Sequence, residues 1–127
     1  MDGAAKVLVV DDDAGSLAAM ADILSLEGYE VLTMSNGREA LDHLQAESEP
    51  PALIILDLFM PVMDGWQFLA EMKADPRLSQ LDIPVIVVTA FNAKVAEASA
   101  VIRKPIDIEL LFHTLKTLEK APTASAH

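Results

Sequence analysis

VLVVDDDA, residues 7–14, sets four apolar residues directly before three aspartates. An apolar run without alternation reads as a strand buried on both faces, as in a parallel sheet covered by helices. The acids then gather at the carboxyl end of that strand. Like charges about 4 Å apart repel by ~4 kcal/mol at an effective dielectric near 20, so the cluster calls for a counter-charge.

Working outward, short apolar runs alternate with helical patterns. KVLVV (6–10) is a first strand, and Leu17, Met20, Ala21 and Leu24 then recur at helical spacing up to Gly28, which stands where a C-cap belongs. YEVLTM (29–34) gives a second strand, and Asn36 and Gly37 open a second helix with Ala40, Leu41 and Leu44 inward. LIIL (53–56) is the most uniformly apolar segment and reads as the central strand, with Asp57 after it. A third helix is predicted over 66–74, stopped before Pro76. IPVIVV (83–88) is a fourth strand followed by Thr89. A short helical turn pair is read from Phe91, Val95 and Ala98, AVIR (100–103) as a brief fifth strand, and a last amphipathic helix over 107–120 with Ile108, Leu111, Leu115 and Leu118 inward. This alternation predicts an α/β domain with a doubly wound parallel sheet of five strands and helices on both faces.

The 127 residues fit a single domain with its own core. The core is expected over about 5–120, with loose ends at residues 1–5 and in the tail APTASAH (121–127). A net charge of −11 opposes attraction to nucleic acid or anionic lipid. The absence of cysteine excludes disulfides, thiolate metal sites and cysteine nucleophiles. Apolar runs too short to span a bilayer, and a start that is no signal peptide, predict a soluble cytoplasmic protein.

In such sheets ligands bind beyond the carboxyl ends of the strands. The first strand ends in Asp11, Asp12 and Asp13, the third in Asp57, the fourth in Thr89 and Ala90, and the fifth in Arg103, Lys104 and Pro105. Singly, each has an ordinary explanation as a cap or turn former, and Asp13 is read as the cap of the first helix. Jointly they suit a hard divalent cation, Mg²⁺ or Mn²⁺, which takes one or two carboxylates, keeps several waters and adds phosphate oxygens. A carboxylate beside that ion can attack a phosphoryl group while Lys104 offsets the negative charge, and Thr89 can donate to a phosphoryl oxygen.

With VVDDD, LIILDLFMPVMDGW, the strand ending in VVTA, and RKP in this order, the sequence resembles the receiver domain of bacterial two-component response regulators over essentially all of residues 5–120. The resemblance implies strand order 2-1-3-4-5 and Asp57 as phosphoacceptor, supplied by a histidine kinase or a histidine phosphotransfer protein. It implies that Asp11, Asp12 and Asp57 hold Mg²⁺ together with the backbone carbonyl of Phe59, Asp12 directly and Asp11 partly through water. Thr89 becomes the switch hydroxyl and Lys104 the phosphate-pairing cation, ahead of a cis bond to Pro105. Met60, Pro61, Asp64 and Gly65 fit the loop that shapes the site. Phe59 and Phe91, each two residues past a site residue, flank the path of hydrolytic water and are expected either to slow dephosphorylation or only to pack. Trp66 is read as a packing residue, and His43 and His113 as solvated or locally bonded.

Two departures stand out. Only Ala90 to Arg103 lies between Thr89 and Lys104, so the fourth helix of the pattern must be short or irregular. The switch position usually held by Tyr or Phe is Val101. The expected function is a single-domain response regulator that signals by phosphorylation-dependent protein contact or phosphorelay to an unknown downstream partner. Its only chemistry would be transfer onto its own aspartate, so it is not expected to be an enzyme in its own right, and segment 91–99 is expected to reorder and to face the partner. The alternative is a receiver-like adaptor that no longer uses phosphate. A dehalogenase-type phosphatase would want an acid where Phe59 stands, and a flavin phosphate would be repelled by the aspartates.

Overall fold

The computed structural model of the chain describes residues 5–47 and 49–120. Five parallel strands form one sheet in the order β2-β1-β3-β4-β5: β1 is Lys6–Val10, β2 Glu30–Met34, β3 Leu53–Asp57, β4 Val85–Thr89 and β5 Ala100–Arg103. β1 sits between β2 and β3, with Leu8 opposite Leu32 on one side and Ile54 on the other. This is why residues 7–10 are apolar without alternation: both their faces are covered.

Successive residues feed two separate cores. Leu8, Val10, Ile54, Leu56, Val85 and Val87 point to one, closed by α2 (Gly37–Ala46), α3 (Gly65–Ala74) and α4 (Pro76–Leu81). Val7, Val9, Leu53, Ile55, Ile86, Val88 and Ile102 point to the other, closed by α1 (Ala14–Leu26) and α5 (Ile108–Lys120). Phe68, Leu24, Leu111 and Leu115 are completely buried, each contributing roughly 1.5–3 kcal/mol of apolar transfer.

The helix ends follow their local chemistry. After α1, Gly28 adopts φ 95°, its N–H donates to Ser25 O, and Tyr29 N–H donates to Leu24 O. These paired bonds need a left-handed residue that glycine supplies without strain. Asp107 caps α5 rather than joining it, its carboxylate accepting from Leu110 N–H (3.2 Å).

Two segments differ from the sequence reading. The turn pair expected around Phe91, Val95 and Ala98 is reduced to one turn, Ala98 N–H donating to Val95 O (3.1 Å), and the rest of 90–99 is irregular. Buried Val95, with Ala93 and Ala98, covers the sheet where a helix would otherwise lie. Secondly, α4 is not expected from the sequence, where Pro76 reads only as a stop. Asp75 instead ends α3 and caps α4, accepting from Arg77 N–H (2.9 Å) and Leu78 N–H (3.1 Å), with Pro76 at the first helical position. Of the loose ends expected at residues 1–5 and 121–127, residues 1–4 and 121–127 lie outside the described residues.

Candidate functional site

The acids converge because β1 and β3 are adjacent and end level. Asp11 N–H extends the ladder past β1 by donating to Met34 O, which leaves its carboxylate at the sheet edge, 8% exposed. One oxygen, Oδ1, accepts from Asp13 N–H (2.9 Å). The Asp13 side chain turns away to cap α1, accepting from Ser16 N–H (2.8 Å), and these bonds hold its pKa below the usual aspartate value. That leaves Asp11, Asp12 and Asp57, each offering a carboxylate oxygen within 4.8 Å of the others.

Lys104 reaches this group from beyond β5. Its N–H donates to Thr89 O (2.8 Å), carrying the β4–β5 pairing one residue further. The Lys104 Nζ stands 3.8 Å from Asp11 Oδ2 and 4.0 Å from Asp57 Oδ1, and its peptide bond to Pro105 is cis. One ammonium thus lies within 4.0 Å of two of the three carboxylates. Burial pushes the Asp57 carboxyl above the usual aspartate pKa; Lys104 opposes this, Asp11 and Asp12 add to the rise, and a bond from the Phe59 backbone opposes it again. An apolar cleft of about 240 Å³ between α1 and α5, walled by Met20, Ile23, Ile106 and Ile108, opens onto Asp57.

The loop after Asp57 folds back tightly. Gly65 N–H donates to Leu58 O (2.7 Å), and a Cβ at Gly65 would lie 2.8 Å from Leu58 Cα and 2.9 Å from Asp57 O. Within it Met60 and Met63 are buried, Pro61 O accepts from Met63 N–H, and Val62 between them takes φ 70° with its side chain exposed. A capping box joins Asp64 and Gln67 at the start of α3.

Thr89 closes the other side as the last residue of β4, fully buried, its Oγ1 accepting from Phe91 N–H (3.1 Å); Ala90 beside it is exposed. The mutual packing of three aromatics escapes sequence reasoning. Phe59, Trp66 and Phe91 do not enter the core but pack on one another at the rim, exposed by 48%, 38% and 58%. The Phe59 ring meets Trp66 at 5.2 Å and 82° and Phe91 at 4.9 Å and 67°, edge-on geometries worth ~0.5–1.5 kcal/mol each. Their spacing in sequence gives no sign of this, because three different elements bring them together. Val101 is 39% exposed on β5, and His43 and His113 lie away from the acids.

A five-stranded doubly wound sheet with an aspartate cluster and a lysine at the carboxyl edge defines the class. The sequence matches the response regulator receiver domain family over residues 7–116, and the chain belongs to it. The polar-differentiation response regulator DivK of Brucella anthropi is 34% identical over 119 residues, 88% of this chain and 94% of that protein. By contrast, the chain spans about a third of the length of the probable transcriptional regulator ycf27 of Pyropia yezoensis, which is 41% identical over 87 residues, 68% of this chain and 33% of that protein. Among solved structures, the receiver domain of a signal transduction histidine kinase from Syntrophus aciditrophicus superposes with a TM-score of 0.81 at 31% identity, covering 96% of each chain. The response regulator TrrA from Thermotoga maritima, in complex with Mg²⁺ and BeF, does so with 0.78 at 28% identity, covering 90% of this chain and 98% of that one.

Proposed function

We propose that this chain accepts a phosphoryl group on Asp57 from the phosphohistidine of a histidine kinase or phosphotransfer protein, and passes the signal on through protein contact or relay. The observation that carries this reading is the triad of carboxylate oxygens within 4.8 Å of one another, with Lys104 beside Asp11 and Asp57. The donor set fits Mg²⁺: three hard oxygens, one of them on Asp12, which is exposed and makes no side-chain hydrogen bond among the described residues. Asp11, Asp12 and Asp57 would hold the ion, with the Phe59 carbonyl and water completing the set. When bound, it supplies the positive charge that phosphoryl transfer between anions requires.

The chain's own residues do the rest. An Asp57 oxygen attacks phosphorus while the P–N bond to the donor imidazole breaks; that ring keeps the bonding pair and leaves neutral, with the proton it already carries on its other nitrogen. Lys104 pairs with the phosphoryl oxygens in place of part of its contact with Asp57. The Thr89 hydroxyl donates a hydrogen bond to another of them. The transfer is self-limiting, so the protein acts as a switch and not as an enzyme on other substrates.

The irregular 90–99 segment and Val101 favour a second reading, an adaptor independent of phosphate. Incubation with Mg²⁺ and a small phosphodonor, followed by intact mass, separates the two. The proposal requires one added phosphoryl group, absent from Asp57→Asn; an unchanged mass for the native chain leaves the adaptor.

A further inference from the structure

The three rim aromatics form a continuous row from the switch hydroxyl to the first turn of α3. Phe91 N–H donates to the Thr89 hydroxyl, so moving that oxygen towards a phosphoryl group pulls directly on residue 91. The Phe91 ring is held by the edge of Phe59, and Phe59 by Trp66. No helix follows Thr89 to brace Phe91, since residues 90–94 carry no regular structure. The backbone at residue 91 is therefore not tied into a helix when the hydroxyl moves. The ring usually used to transmit such a movement is absent, for Val101 stands there.

We infer that Trp66 and Phe59 position Phe91, and that this row carries the phosphorylation signal from Thr89 to the exposed start of α3 in place of the missing ring at 101. The inference rests on Asp57 being the phosphoacceptor, but its content is separate: which side chains respond, and in what order. Thr89 bonds the phosphoryl oxygen, the Phe91 N–H bond lengthens or breaks, and the Phe91 ring leaves the edge of Phe59. The packing of Phe59 on Trp66 then changes at a surface already 38–58% exposed. The responsive surface is the one containing Phe59, Trp66 and Phe91, and not the outer face of β5.

The chain contains one tryptophan, so its emission reports this position alone. The probe is Mg²⁺ with beryllofluoride, and bound fluorine resonances measure its occupancy independently. At saturating occupancy the native chain is expected to change its tryptophan emission relative to Mg²⁺ alone, while Phe91→Leu and Thr89→Val lose most of that change at matched occupancy. Phe91→Leu keeps an apolar side chain at an exposed position, and its circular dichroism checks that it is folded. Emission unchanged in the native chain despite bound fluorine overturns the inference, as does a full response in both variants. Lack of any bound resonance in the native chain refutes the phosphoacceptor reading itself, and the relay falls with it.

Discussion

Gly65→Ala tests how tightly the acceptor loop is built. The new methyl would lie 2.8 Å from Leu58 Cα and 2.9 Å from both Asp57 O and Leu58 Cδ2, well inside the 3.5–4.0 Å of optimal carbon contacts. Two of those atoms are backbone and Leu58 is completely buried, so no flexible side-chain end can yield. Overpacking of this kind costs ~1–3 kcal/mol, against a helix gain for alanine of no more than ~1 kcal/mol. The net expectation is a loss of about 1–2 kcal/mol, lowering Tm by roughly 3–8 °C in a domain of this size. Because the methyl pushes on the Asp57 carbonyl, phosphorylation by a small phosphodonor should slow as well, at temperatures where the variant is fully folded. Gly15→Ala is the control: its Cβ would meet only Asp13 Oδ2, at an ordinary 3.5 Å, inside α1, so a gain of ~0.5–1 kcal/mol is expected there. Urea unfolding measures both. If Gly65→Ala unfolds at the native midpoint with the native slope, the loop is looser than its distances state and the reasoning is refuted.

Three further outcomes are expected. Mg²⁺ at about ten times its Kd should stabilise the native chain by ~1.4 kcal/mol, and Asp12→Asn should lose most of that gain in thermal melts; equal gains in both would remove Asp12 from the donor set. Tyr29, the single tyrosine, has its pKa pushed up to about 12 by burial and then by its bond to Glu119 (3.0 Å). An acid whose folded pKa is raised favours the fold at pH below its unfolded value near 10 and loses that contribution as pH climbs towards 12. Ultraviolet titration should thus lag the free phenol, Tyr29→Phe should flatten the stability loss across that window, and a midpoint near 10 in the folded protein would contradict the structure. Phe91→Glu, at a position 58% exposed over the site, should shorten the acyl-phosphate lifetime by opening the rim to water, as read from the decay of the phosphorylated mass; an unchanged decay assigns Phe91 to packing alone.

Much of the fold and site is legible in the sequence because it depends on local patterns. Residues 7–10 and 53–56 are apolar without alternation since each strand is covered on both faces, and the acids that succeed them meet because β1 and β3 are neighbours. Asp13 as a cap, Gly28 as the left-handed residue just past the Glu27 C-cap of α1, and the place of Lys104 after β5 are likewise written in adjacent residues. The features that sequence alone does not reveal are of two kinds. α4 is hidden by ambiguity, since Asp-Pro both ends one helix and starts another, and only tertiary support selects the second: Arg77 donates to Leu44 O and to Glu47 O (3.2 Å) at the end of α2. The aromatic row is hidden by distance, because Phe59, Trp66 and Phe91 belong to a loop, a helix start and the segment after β4.

The absent helix between β4 and β5 and the absent ring at 101 go together. Val101 pairs with Val87 in register and shares the sheet face that α2, α3 and α4 cover further in. At that edge the covering is Val95 with Ala93 and Ala98, too slight to enclose a large side chain, and Val101 remains 39% exposed. A tyrosine or phenylalanine there would have no slot beneath a helix to rotate into, so restoring the ring alone cannot restore its movement. Val101→Tyr should therefore leave the phosphorylation-dependent Trp66 emission as it is in the native chain. If instead that single substitution redirects the response to residue 101, the edge of the sheet holds a cavity that the packing of Val95 does not show, and the coupling runs through β5 after all.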